Sequence, residues 1–185
     1  MSARMTTDPQ KFAGSVRFFH WLMAAMVLTM LAIGVAMVVS LGDYHRLVSI
    51  HRPLGILILI TVVIRYVNRR LHSVPPLPPT MSPQERFVAH ASEILLYTLL
   101  FLQPLVGWAM LSAARYPIVM FGSVHLFPIL PHDVMMYAFL RKAHTFLAYL
   151  LFLAFVGHFG AVAFHTLVLR DGLLSRMLPG RARAR

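Results

Sequence analysis

Apolar residues run through this chain in four long stretches, from about Phe18 to Leu41, Ile50 to Val67, Ala91 to Ala113 and Ala143 to Leu169. Roughly 20 largely apolar residues are what an α-helix needs to cross the hydrocarbon core of a bilayer. Helix breakers collect between the stretches. Pro75, Pro76, Pro78 and Pro79 separate the second from the third, and Ser82-Pro83-Gln84-Glu85 then reads as a helix start with Ser as N-cap and Pro at the first position. Pro117, Pro128 and Pro131 mark the other long loop, and Gly172 and Pro179 follow the last stretch. The pattern predicts an all-α fold, an integral membrane four-helix bundle, forming one transmembrane domain over residues 1–185 without internal repeats. Arg4, Lys11 and Arg17 precede the first stretch as they would in a signal peptide, but its apolar run is too long for a signal h-region of about 7–15 residues. It is kept as a span.

Composition supports a lipid solvent. Of the 185 residues, 58% are hydrophobic and only 12% are charged, against about 25% charged in ordinary soluble domains. The formal net charge of +11 has two usual readings, nucleic acid or an anionic membrane surface. Here the cations flank apolar runs, which favours the membrane and speaks against a nucleic-acid partner. Anionic lipid likewise accounts for the tail Arg181-Ala182-Arg183-Ala184-Arg185. Lys and Arg number twelve on the side of the two termini (Arg65, Arg69, Arg70 and Arg86 counted in its loop) and five on the other (Arg46, Arg52, Arg115, Arg141, Lys142). The positive-inside rule then places both termini in the cytoplasm. Cysteine is absent, which excludes disulfides, cysteine-ligated clusters and covalently attached c-type haem.

Ionisable residues inside membrane spans are costly and usually functional. His144 and His158 are 14 residues apart on the fourth span. That is ~21 Å along a helix, and the rotation falls about 40° short of four full turns, so both share one face near opposite leaflets. Depth then pairs them. The second span starts on the same side as the fourth, so His51 faces His144; the first runs the other way, so His20 faces His158. Two cross-helix imidazole pairs at two depths are what two stacked b-type haems require. A single membrane histidine more often bonds one helix to another; two depth-matched pairs change that balance. His165, on the same stripe, is an alternative partner for His20, but at ~31 Å from His144 it falls at the interface, so His158 is preferred. His45, His72, His125 and His132 read as loop surface. His90 reads as bonding Glu93 locally, with a proton-handling pair near a quinone as the alternative.

Arg17-Phe18-Phe19-His20-Trp21, Ile50-His51-Arg52-Pro53-Leu54-Gly55, Leu96-Tyr97, Pro104-Leu105-Val106-Gly107-Trp108, Lys142-Ala143-His144 and Gly157-His158 with His165 together resemble the bacterial cytochrome b561 family. The resemblance covers roughly Ser15 to Pro179. It implies a dihaem b-type cytochrome of the bacterial inner membrane, with His20 and His158 on one haem and His51 and His144 on the other. It also implies an oxidoreductase resembling superoxide oxidase, which carries electrons from superoxide outside to ubiquinone. Arg52 then stands where it can meet a haem propionate, and Arg52, Arg115, Arg141 and Lys142 where they can attract an anion or simply anchor the spans. His165, Arg17 and Trp21 are the candidates for a quinone site, Trp21 being equally an interfacial residue. Two other readings compete. One is an electron-transfer subunit fed by a periplasmic redox partner such as a dehydrogenase or hydrogenase. The other is a haem-free proton relay or transporter. No G-x-S-x-G, Walker A or H-E-x-x-H pattern supports hydrolase, kinase or zinc-protease chemistry.

Overall fold

A computed structural model describes residues 11–120 and 122–178. It has four long helices, α1 (Gly14–Val39), α2 (Tyr44–Leu71), α3 (Pro83–Ala113) and α4 (Val134–Phe164), each long and apolar enough to cross a membrane. Arg4, Arg181, Arg183 and Arg185 of the charge count lie outside the described residues. Every span extends past its predicted bounds at one end or both, and the longest extension at a single end is the start of α4. Asp133 caps it, its carboxylate accepting from Met136 N at 2.9 Å, so the helix begins well before Ala143. Arg141 and Lys142, read as the end of a loop, are therefore on the helix. Arg65, also read as a loop cation, lies inside α2, and His45 lies in the first turn of α2. The predicted start of α3 is found as a full capping box: Glu85 N donates to Ser82 Oγ, and Ser82 N donates to the Glu85 carboxylate.

The end of the bundle holding the start of α1 and the end of α4 is here called basal, the opposite end apical. At the apical end a two-stranded antiparallel hairpin, β1 (Ile118–Met120) and β2 (Val124–Leu126), sits between α3 and α4. Gly122 takes φ +79° in its turn, a conformation that side chains resist. Trp108 Nε1 donates to Phe127 O, Ile129 N to Ser112 Oγ, and His132 Nδ1 to Ala113 O, tying this cap to the last turns of α3. At the basal end, α4 widens into a π-turn over His165–Leu169 and then reverses through Arg170, a non-glycine residue at φ +51°. Arg17 donates to Leu178 O at 2.7 Å and Trp21 to Met177 O at 2.8 Å, so the segment after α4 lies across the foot of α1.

Packing among the helices is uneven. α1 packs on α2, α2 on α3, and α3 on α4, whereas among the described residues the backbones of α1 and α2 stand off from α4. Side chains fill the middle of that gap. Met23, Val27, Ile58, Val62, Leu99, Leu100 and Leu151 form the buried core. Val27, Ile58 and Leu151 each follow a histidine of the two pairs (His20, His51 and His144) by seven residues. The apolar layer thus lies halfway between the two depths at which those histidines were expected. The outer helix surfaces carry exposed Leu, Ile, Val and Phe, as a lipid-facing surface should.

Candidate cofactor site

The apical station is built from α2, α3 and α4. The rings of His51 and His144 meet edge to face with centroids 6.2 Å apart. Both are half-buried, and Nδ1 of each is buried with no hydrogen-bond partner, a state that native structures avoid unless something else satisfies the atom. Gln103 of α3 donates from Nε2 to His144 O at 3.0 Å, and the same nitrogen is 3.3 Å from His144 Nε2. Gly107, one turn on, lets α3 approach closely: a Cβ there would meet His144 Cε1 at 3.2 Å and Nδ1 at 3.4 Å. Arg52 Nη1 reaches Pro117 O at 3.4 Å and so links the foot of the hairpin to the residue after His51.

At the basal station, His20 of α1 and His158 of α4 lie within electrostatic reach of each other. Arg65 of α2 stands between the surrounding helices: Nη2 donates to His20 Nδ1 at 3.1 Å, and its guanidinium lies 5.2 Å above the Tyr97 ring of α3. Glu93 pairs with Arg69 at 2.5 Å, so the expected local bond to His90 gives way to an interhelical ion pair. His165 is buried, with Nδ1 bonded to Asp171 Oδ2 at 2.6 Å. Asp171 reaches it because the left-handed Arg170 turns the chain back on itself. The three quinone candidates, Arg17, Trp21 and His165, all contact the segment 171–178.

These residues fit a haem. Metal–imidazole bonds of roughly 2 Å on both faces of one metal ion would put ring centroids about 6 Å apart, the separation of the apical pair. Among the described residues no three of His, Asp and Glu gather into a cage. Two imidazoles alone leave a metal with four positions to fill, and a porphyrin supplies four nitrogens. Gly34, 14 residues after His20 and so at the apical depth of α1, would meet nothing within 4 Å if it carried a Cβ, and neither would Gly157 beside His158. The helix pairs bearing the histidines, α1 with α4 and α2 with α4, are those whose backbones stand apart.

Fold and site define a helical membrane protein with histidine pairs at two depths of its bundle, the form of a membrane cytochrome. The family model for prokaryotic cytochrome b561 matches residues 11–180, and the chain belongs to that family. It is 33% identical over 177 residues to cytochrome b561 homolog 2 of Escherichia coli (strain K12), covering 94% of each chain. It is 32% identical over 136 residues to the probable superoxide oxidase CybB of Yersinia pestis, covering 70% of this chain and 73% of the relative. The family is one of membrane electron transfer whose members typically bind haem b. With four spans, the chain is a multi-pass protein of the inner membrane.

The space left by Gly107 makes a test. Gly107→Val puts branched carbon where His144 already lies within 3.2 Å of a Cβ. If a haem is held at this station, the variant is expected to lose at least half of it while keeping its helical circular dichroism. Unchanged haem content would show that His144 has slack the contact does not suggest.

Proposed function

We propose that this chain is a superoxide:ubiquinone oxidoreductase carrying two haems b, one held by His51 and His144 and the other by His20 and His158. The observation that carries the reading is the pair of cross-helix histidine stations at two depths, about 21 Å apart along α4. The haems supply one-electron chemistry and a path across the membrane. The basal end is cytoplasmic by its excess of Lys and Arg, so superoxide meets the apical end. Two superoxide anions each give up one electron and leave as dioxygen. Ubiquinone takes two electrons and two protons at the basal end.

The residues of the chain do the rest. Arg52, Arg115, Arg141 and Lys142 give the apical end a positive field that raises the local concentration of a small anion and speeds its arrival. Gln103 and Gly107 fix the ring of His144. Arg52 spans His51 and the hairpin, close enough to the apical station to meet a propionate. The buried layer around Val27, Ile58 and Leu151 keeps water from the space between the stations. His165, locked by Asp171 under the segment 171–178, is the group best placed to hand a proton to a quinone carbonyl. The 32% identity to a probable superoxide oxidase supports the choice of donor.

The test is stopped-flow decay of superoxide by purified protein with and without a short-chain ubiquinone. Quinol formed at one per two superoxide consumed, with a rate that falls as salt is raised, is the expected result. A haem-loaded protein inert to superoxide would instead favour the electron-transfer subunit. Its apical cap exposes Val124 and Phe127, at 52% and 67%, where a periplasmic redox partner could dock. A folded preparation without haem after expression with ample haem would favour the proton relay.

A further inference from the structure

The spacing that places the histidines also places a residue no haem ligation uses. Arg65 follows His51 by 14 residues on α2, as His158 follows His144 on α4. α2 therefore presents a histidine at the apical depth and an arginine at the basal depth of one face. We propose that Arg65 is a positioning residue for the basal haem, a fixed cation that raises its potential above that of the apical haem and so makes electron flow from the apical to the basal end downhill. This rests on the two-haem reading above.

The surroundings of Arg65 are built for a charge rather than against one. A cation inside a membrane span normally finds a carboxylate or an exit to water. Arg65 has neither. Glu93, the acid on the facing stretch of α3, is held by Arg69, and those two cancel. The guanidinium is instead held over the face of Tyr97 and against His20 Nδ1. Its Nε has no partner, and neither have the neighbouring buried donors Asn68 Nδ2 and Tyr97 OH. These are donors without acceptors, around a charge without a counterion. A haem brings the missing negative charge, since its two propionates outweigh the single net positive charge of its ferric centre. Reduction adds one more electron, and a fixed cation beside the basal station favours that state. At an effective dielectric typical of partly buried sites, a unit charge this close is worth on the order of tenfold in the ratio of reduced to oxidised haem. Potentials of haem centres are set by such local charge as well as by ligand and burial. At the apical pair the neighbouring cation, Arg52, is directed differently: it donates to the carbonyl of Pro117 rather than to a histidine ring.

Spectroelectrochemical titration of the detergent-purified holoprotein reads this directly, without turnover. Arg65→Gln is expected to lower one of two midpoint potentials by about tenfold in the redox ratio, ~59 mV for a one-electron couple, and to leave the other within a third of that. Arg65→Lys should restore most of the difference. Two unshifted potentials in Arg65→Gln, or two that fall together, would overturn the proposal while leaving two haems in place. If Arg65→Gln loses the basal haem, Arg65→Lys decides. A lysine variant with wild-type potentials supports the role of the charge, and one that also lowers the potential, or also loses the haem, overturns it. A wild-type protein with fewer than two haems would instead overturn the reading beneath it.

Discussion

Replacing His144 by alanine is expected to reduce the haem content from two per chain to one, read by pyridine haemochrome against protein concentration. His144 stands in the middle of the apical station: its ring meets that of His51, its carbonyl accepts from Gln103, and Gly107 leaves its edge the space a side chain would take. The alanine variant removes one of two axial nitrogens and opens a buried space, while Gln103 keeps its bond to the main-chain carbonyl. The fold should survive, because α4 is held mainly by α3 and the core around Leu151 lies seven residues away. His51→Ala should give the same spectrum, with the basal haem unchanged. His20→Ala should remove the other haem, and the double variant His20→Ala with His144→Ala should have none. Two low-spin haems in His144→Ala would refute the apical assignment. A haem retained in a high-spin state would support it, since the remaining imidazole then holds the metal from one side.

Much of this was legible in the sequence because the histidine spacing follows directly from helix geometry. Fourteen residues on α4 fix both face and separation, and the direction in which each span crosses fixes which histidines share a depth. The apical pair found in contact is the pair that argument selects. The capping box at Ser82 was readable for a similar reason, since its hydrogen bonds are local. What was missed depended on tertiary surroundings or on masked local signals. Arg65, Arg69 and Arg70 looked like one cationic loop because they fall together where the hydropathy drops. In fact α2 runs on to Leu71, and Arg65 turns inward to His20 and Tyr97. The 14-residue step from His51 would have found it. Arg141 and Lys142 hid the start of α4, although Asp133 after Pro131 is a cap signal in its own right. The strands of the hairpin, at three residues each, are too short to show any alternation. Their register depends on Gly122 and on the backing of α2 beneath β1. Glu93 took Arg69 rather than His90 because α2 and α3 pack together at the basal end.

His158→Ala and His165→Ala should separate two functions that lie seven residues apart on one stripe of α4. His158→Ala is expected to lose the basal haem, leaving one haem per chain and no quinone reduction, since the path ends at the apical station. His165→Ala is expected to keep both haems and both potentials yet reduce ubiquinone more slowly, on the order of 10² in kcat, the usual scale for loss of a positioned proton donor. The difference follows from what each ring touches. His158 lies within electrostatic reach of His20 and Arg65, at the depth where α1 and α4 stand apart. His165 has Nδ1 committed to Asp171, below that level and under the segment held by Arg17 and Trp21. Asp171→Asn keeps a hydrogen-bond partner but removes the charge, so it should slow quinone reduction less than His165→Ala and shift its pH profile. Haem content and stopped-flow quinone kinetics on the three variants check the scheme. If His165→Ala loses a haem while His158→Ala retains two, the basal ligand is His165, and the proton role assigned to it passes to another group at the foot of the bundle.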